Sequence, residues 1–115
     1  MLENVARNSR KVIKNTMEKN IKNLIEYPSQ GILSKEIIKD EKIDVTLFCM
    51  AKGTEMSEHT STKEGIIYIV EGEGIFRLEE KDIKMLPGVF IHMKENMVHS
   101  LKAEENTSFM LTLIK

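Results

Sequence analysis

Two histidines stand out as side chains that could do chemistry. His59 and His99 lie forty residues apart, and each lies beside an apolar run of the kind that forms a strand. Imidazole gains and loses a proton near neutral pH and is also a common metal ligand. We therefore expect the two rings to converge on one pocket, as an acid and base pair or as ligands of a metal ion.

A metal site built on these two rings needs a further ligand. Zinc sites normally use at least three protein ligands, and the facial iron triad adds a carboxylate to two histidines. Glu64 is the nearest candidate acid, although strand alternation places it on the face opposite His59 unless a bulge near Gly65 re-aims it. Ser61 could hold a metal-bound water through its hydroxyl.

The third histidine, His92, lies between Ile91 and Met93 on an apolar run. Successive strand residues point to opposite faces, so His92 faces away from these two neighbours. We expect it to point outward rather than into the pocket.

The chain beyond Gly31 predicts a β structure. Short apolar or alternating runs are bounded by Gly, Asp, Glu and Asn, which is typical of strands. In one of them, alternation puts Ile43, Val45, Leu47 and Cys49 on one face. The connections are too short for crossovers, so we expect no parallel pairing and predict an antiparallel sandwich or small barrel. The nine predicted strands are 31–38, 43–50, 56–60, 66–71, 74–79, 82–85, 89–93, 98–102 and 107–114.

The first 30 residues have a different pattern. From Ser9 to Glu26 the apolar residues recur at helical spacing, which predicts an amphipathic helix of about four to five turns that ends before Pro28. We therefore divide the chain into a helical extension, 1–30, and a β barrel, 31–115. The apolar positions of the predicted helix are Ile13, Met17, Ile21, Leu24 and Ile25.

Composition narrows the partners and the compartment. The chain has 115 residues and a formal net charge of −1, which argues against nucleic acid or an anionic membrane surface as a partner. Its single cysteine, Cys49, allows no internal disulfide, and no secretory or membrane-spanning segment is evident, so we expect a cytoplasmic protein. A domain of this size has a shallow core, and we expect a homodimer.

The stretch from Gly53 to Gly72 resembles the first motif of the cupin superfamily. That motif reads Gly, five residues, His, one residue, His, three or four residues, Glu, six residues, Gly. Gly53, His59 and Gly72 match it, whereas Ser61 takes the place of the second histidine and Gly65 that of the glutamate.

The second cupin motif reads Gly, five residues, Pro, one residue, Gly, two residues, His, three residues, Asn. Gly88 and His99 match it at the right separation. Lys94, Asn96 and Ala103 stand in place of the proline, glycine and asparagine. The resemblance covers residues 31–114.

The resemblance implies a mainly β fold: a double-stranded β-helix (jelly-roll) barrel, here preceded by an N-terminal α-helix. In cupins that bind metal, three histidines and a glutamate hold one divalent ion inside the barrel, and only His59 and His99 match those positions here. Two alternatives stay open: one divalent ion (Zn, Fe, Ni or Mn), or no cofactor and two polar groups lining a pocket.

The pocket walls are predicted from apolar residues on the motif strands, with Ser61 beside the histidines. Just two tyrosines and no tryptophan are present, so stacking platforms for sugars or bases are scarce. Arg77 is the only basic side chain within the motif strands, which leaves little to hold a phosphorylated substrate. The expected lining residues are Ile67, Ile69, Met93, Leu101 and Met110.

Three functions follow as hypotheses. The preferred one is a module that binds a small molecule in the barrel, with or without an ion at His59 and His99. The alternative is a metal-dependent enzyme, an oxygenase, isomerase or lyase, that acts on a small apolar or keto-type substrate. The third is a structural or sensory role in which dimer formation is the function.

Overall fold

A computed structural model describes the backbone of residues 8–12 and the whole of residues 17–115. The nine strands predicted from the sequence are all present, each with its ends within two residues of the predicted ones. In chain order the elements are β1 (Asn8–Val12), α1 (Ile21–Leu24), β2 (Ile32–Lys39), β3 (Ile43–Met50), β4 (Glu55–His59), β5 (Glu64–Glu71), β6 (Gly74–Leu78), β7 (Lys81–Met85), β8 (Phe90–Met93), β9 (His99–Ala103) and β10 (Thr107–Ile114).

The strands form two sheets, which confirms the predicted mainly β jelly-roll fold with an N-terminal helix. One sheet has six strands in the order β1-β2-β3-β10-β5-β8, and the other has four in the order β4-β9-β6-β7. Every neighbouring pair from β2 to β10 is antiparallel. The helix described is four residues long, and nothing helical in the described part of the chain could cross a membrane.

The two sheets enclose one apolar core. Phe48 on β3 lies opposite Phe109 on β10, and their rings stack with centroids 5.2 Å apart. Phe109 also lies opposite Ile69 on β5, so three neighbouring strands contribute to the same layer. Phe76 of the four-stranded sheet is fully buried in the same cluster. Burying an apolar side chain of this size stabilises the fold by about 1.5–3 kcal/mol.

The helix predicted over Ser9–Glu26 is wrong in extent. Among the described residues of this range there is one helical turn, at Ile21–Leu24, and Asn8–Val12 is a strand that pairs in parallel with β2. The exclusion of parallel pairing is therefore also wrong for this pair, because the connection from Val12 to Ile32 is long enough for a crossover. Ile13 lies outside the described residues. The division of the chain at residue 30 stays a prediction.

The chain before β2 covers part of the outer face of the six-stranded sheet. Lys35 Nζ donates to the Leu24 carbonyl at 2.7 Å and lies 3.1 Å from the Glu26 carboxylate. The Tyr27 hydroxyl donates to Glu71 Oε2 at 2.8 Å. A backbone group of Glu26 also hydrogen bonds to Cys49, and burial is the main cause that raises the pKa values of Cys49 and Tyr27. Residues 24–27 are thus held against the sheet by specific contacts.

This cover explains the alternation on β3. Val45, Leu47 and Cys49 share one face, as predicted, and all three are buried. Phe48 and Met50 belong to the core between the sheets, so the predicted face is the outer one.

Candidate functional site

The two histidines meet at one end of the barrel. β4 ends at His59 and β9 begins at His99, and the two residues are register partners in the ladder between these strands. A register shift between Met56 and His59 marks a bulge, a device that re-aims side chains at the rim of a barrel. The ring centroids are 4.1 Å apart, with the planes at 65° in an edge-to-face arrangement. The structure therefore brings together two side chains that are forty residues apart in the sequence.

Both rings make a hydrogen bond of the same kind. His59 Nδ1 lies 2.8 Å from the Ser57 carbonyl oxygen, and His99 Nδ1 lies 3.0 Å from that of Met97. A carbonyl oxygen only accepts, so each Nδ1 carries the hydrogen and donates it. In the neutral rings the lone pair is therefore on Nε2 in both cases.

His99 is held in its neutral form. Its side chain is 3% exposed and stacks on Phe76, with ring planes 6° apart and centroids at 5.8 Å. Burial lowers the pKa of His99, and the neighbouring His59 lowers it further, although the Met97 carbonyl opposes them. At neutral pH the His99 ring is thus a base with a free lone pair.

His59 supplies the clearest sign of an incomplete site. Its Nε2 is buried, and no hydrogen-bond partner for it is found among the described residues. A buried polar atom without a partner costs about 1–3 kcal/mol. A group that donates to this nitrogen, or an ion that coordinates it, would remove that cost.

Two loops border the histidine pair. The loop that follows β4 contains Ser61, and the loop between β8 and β9 contains Asn96, whose N–H donates to the Ser61 carbonyl at 2.7 Å. Asn96 has φ 65, a left-handed conformation that asparagine tolerates better than most residues. The Ser61 hydroxyl accepts from the Lys63 N–H at 3.1 Å, so Ser61 lies at the rim as part of a local turn.

Four of the five expected lining residues are in the core between the sheets: Ile67, Ile69, Met93 and Leu101. The structure places Met110 on the opposite face, because it lies between the core residues Phe109 and Leu111. Its register partners are Leu47 and Tyr68, which also face outward.

The candidate acid is not at the pair. Glu64 lies on the outer face, where its Oε2 accepts a hydrogen bond from His92 Nε2 and both side chains are exposed. Gly65, at the position of the cupin glutamate, faces inward. A Cβ there would lie 3.2 Å from the Met93 methyl and 3.3 Å from a Leu113 methyl, so apolar side chains fill the room an acid would need.

The donor set fits a divalent ion only in part. Each imidazole is oriented by a carbonyl that leaves Nε2 available, which is how metal-binding histidines are held. Within residues 17–115, however, no three side chains of His, Cys, Asp or Glu come together as a metal site. An ion at His59 and His99 would have to complete its shell with water or with a bound ligand.

A concave surface lies on the outside of the four-stranded sheet. This groove of about 470 Å³ is lined by polar and charged side chains, Ser100 and Lys102 among them, and by apolar ones such as Ile75. The one basic residue singled out from the motif strands, Arg77, lies here and donates to Asp82 at 2.9 Å. Neither site histidine lines the groove.

Sequence reasoning missed the groups that set the histidine tautomers. The acceptors are the main-chain oxygens of Ser57 and Met97, and any residue type can supply such an oxygen. Phe76, which stacks on His99, could have been found, because alternation along β6 places it on the inner face opposite Leu101.

Comparison with known proteins agrees with this architecture. A family model described as a cupin domain matches residues 46–115. No curated protein matches the sequence.

Among solved structures, a conserved protein of unknown function from Streptococcus pyogenes superposes with a TM-score of 0.80 at 20% identity, covering 96% of both chains. A cupin superfamily protein from Desulfitobacterium hafniense gives 0.79 at 17% identity, covering 90% of this chain and 95% of its own. A protein from Thermotoga maritima described as a predicted oxalate decarboxylase gives 0.68 at 20% identity, covering 73% and 80%. At these identities the likeness shows the fold.

Proposed function

Because the chain belongs to the cupin superfamily, we propose that it binds a small molecule at the end of its barrel through Nε2 of His59 and His99. The observation that carries this proposal is the buried, unpartnered Nε2 of His59, only one ring away from His99. Native structures rarely leave a buried polar atom without a partner, so an atom of this kind points to a missing ligand.

The tautomers define the chemistry of the ligand. Both Nδ1 atoms donate to main-chain oxygens, so in the neutral rings both Nε2 atoms accept. A hydroxyl or N–H group satisfies such an acceptor, whereas a carboxylate would place its oxygen against a lone pair. Leu101 and Met93 give the interior an apolar lining that suits a neutral, mostly apolar body. The preferred ligand is a small neutral compound that carries a hydroxyl or N–H.

A divalent ion is the second candidate occupant. His59 and His99 would supply two ligands through Nε2, and the ion would act there as a Lewis acid. This version leads to the enzyme hypothesis: an oxygenase, isomerase or lyase. Without an ion, His99 is instead favoured as a base, because its burial lowers its pKa and keeps Nε2 able to accept a proton at neutral pH.

A matched pair of probes tests the binding proposal. Phenol carries an apolar ring and one hydroxyl donor, and benzoate carries the same ring with a carboxylate. Calorimetry on untagged protein is expected to show saturable phenol binding, at least about tenfold tighter than benzoate binding. Benzoate leaves the buried acceptor unpaired and places an oxygen lone pair against it, which costs more than about 1.4 kcal/mol relative to the hydroxyl of phenol. His59→Phe and His99→Phe are expected to lose that binding, and His92→Gln is the control that keeps it.

Equal affinity for the two probes, or unchanged phenol binding in both phenylalanine variants, would overturn the proposal. Metal analysis of the same untagged protein addresses the second candidate. A stoichiometric ion that disappears in His59→Phe and in His99→Phe would replace the metal-free version.

We further infer that two copies of the chain associate through the outer face of β10, β5 and β8. The chain before β2 covers another part of this outer face, but Tyr68 and its register partner Phe90 remain 47% and 62% exposed. Met110 continues the apolar surface on the next strand. A small domain gains buried apolar area by pairing, and this surface contains the large apolar side chains Tyr68 and Phe90, which the described segments leave open.

Sedimentation at several concentrations tests the pairing. Phe90→Lys is expected to shift the protein towards the monomer. Val98→Lys is the control: it replaces an exposed apolar residue beside the histidine pair and is expected to leave the dimer intact. A wild-type protein that stays monomeric at high concentration would contradict the inference.

A further inference from the structure

The turn between β6 and β7 contains a residue in an unfavourable conformation. Glu79 has φ 55, in the left-handed region that residues other than glycine and asparagine avoid. Two-residue hairpin turns usually place Asn or Gly at such positions. A glutamate that keeps this conformation indicates that its side chain has a task at this place.

That side chain reaches the loop before β9. Glu79 Oε2 accepts from the Val98 N–H at 2.6 Å, and the Glu79 N–H donates to the Val98 carbonyl at 2.7 Å. One residue of the turn thus holds both main-chain polar groups of the residue that precedes His99. Leu78, the neighbour of Glu79, is also the register partner of His99 in the β6–β9 ladder.

The peptide unit that contains the Val98 N–H also contains the Met97 carbonyl. A peptide unit is planar, so fixing the direction of its N–H fixes the direction of its C=O. This C=O is the acceptor for His99 Nδ1 at 3.0 Å. A carboxylate bound to the N–H end also polarises the unit and strengthens the hydrogen bond accepted at its oxygen.

We propose that Glu79 is a positioning residue for His99: through the peptide unit joining Met97 and Val98, its carboxylate holds the His99 ring with the hydrogen on Nδ1 and the lone pair on Nε2. Metal-binding and catalytic histidines are often held by a carboxylate directly on the ring. Here one peptide unit separates the two groups. The proposal deepens the proposed function, because it explains how Nε2 is kept available for a ligand.

Imidazole ¹⁵N resonances test this without any ligand. The two nitrogens of a neutral ring resonate at different frequencies according to which one carries the hydrogen, so the spectrum reports the tautomer of His99. The measurement is made on histidine-labelled, ligand-free protein at one fixed pH well above the ordinary pKa of histidine. His59, whose Nδ1 donates to Ser57, is the internal reference in the same spectrum.

Glu79→Asn is the informative variant. Asparagine tolerates the left-handed backbone, so the turn can form, but its side chain is one methylene too short to make the Val98 contact. Glu80→Asn is the matched control, because it removes the same charge from the same turn and no side-chain hydrogen bond or ion pair of Glu80 is found in the described part of the chain. The Nε2-H tautomer of His99 is expected to rise about tenfold in Glu79→Asn, since a charge-assisted hydrogen bond has been removed, and to stay at the wild-type level in Glu80→Asn.

Glu79→Gln keeps the length and an acceptor oxygen, and it is expected to fall between the wild type and Glu79→Asn. If Glu79→Asn does not fold, the same spectrum of Glu79→Gln carries the test. An unchanged His99 tautomer in the folded variant, or an equal change in Glu80→Asn or at His59, overturns the positioning role. The spectrum contains no ligand, so a failure of phenol binding leaves this result standing, and an unchanged tautomer leaves the binding proposal standing.

Discussion

His59 and His99 face each other across the β4–β9 ladder with both Nδ1 atoms bound to main-chain oxygens. Two imidazoles held in this way present two acceptors and no donor, because each has already used its hydrogen. The pair is therefore chemically selective before any ligand arrives. It favours a hydroxyl, an N–H group or a cation over an anion.

The burial of His99 predicts a pH dependence of stability. Burial lowers its pKa below the ordinary value of 6.5, so the unfolded chain takes up this proton more readily than the folded protein. Stability from this residue is complete above about pH 6.5 and is lost as the pH falls towards and through the folded pKa. In urea unfolding between about pH 8 and pH 5, His99→Phe is expected to flatten this decline. An unchanged slope in His99→Phe would contradict the assignment.

Gly72 and Gly53 form a matched pair for backbone strain. Both have positive φ, 113 and 85, but a Cβ on Gly72 would lie 2.4 Å from Thr107 Cα, whereas a Cβ on Gly53 meets nothing within 4 Å. Gly72→Ala is expected to lose at least about 3 kcal/mol of unfolding free energy, from strain and overlap together. Gly53→Ala is expected to lose about 1 kcal/mol of unfolding free energy, from backbone strain alone. Equal losses of unfolding free energy in denaturant titrations would show that Gly72 does not approach Thr107 as closely as described.

The contact between Tyr27 and Glu71 anchors the segment before β2. Tyr27→Phe removes the 2.8 Å hydrogen bond and is expected to lose about 1.5–3 kcal/mol, the usual range for a bond to a charged group. Tyr68→Phe is the control: Tyr68 is 47% exposed, and its loss is expected within about 0.5 kcal/mol.

The same variant gives a second readout. Cys49 is fully buried under this segment, so its rate of reaction with a thiol reagent reports how often residues 24–27 lift from the sheet. Tyr27→Phe is expected to raise that rate, and Tyr68→Phe to leave it unchanged. An equal rate in both variants would mean that the hydroxyl contact does not hold the segment.

The strands were predictable because alternation and turn residues are local signals. Thr107–Ile114, for example, was predicted to its last residue. The orientation of Met110 was not predictable in the same way. Its strand is apolar on both faces, because the outer face is partly covered, so the period of two does not tell which face is inside.

The N-terminal segment shows where local pattern fails. Apolar spacing over 9–26 favours a helix, but the described residues of this range form one helical turn, and the contacts that hold the segment come from Lys35 on β2 and from Glu71, far along the chain. The histidine site has the same limit. Residue type and spacing identified His59 and His99, but the tautomers depend on main-chain oxygens and on a carboxylate, Glu79, that only the folded loop brings near.

The most direct test of the account follows the Nε2 resonances of His59 and His99 while phenol is added to untagged, histidine-labelled protein. At about 10 mM phenol, a site with a binding free energy of about −4 kcal/mol is mostly filled. The account predicts that both Nε2 signals move together along one saturation curve, and that the Nε2 signal of His92 stays in place. Movement of only one of the two signals, or of neither, would contradict a shared site.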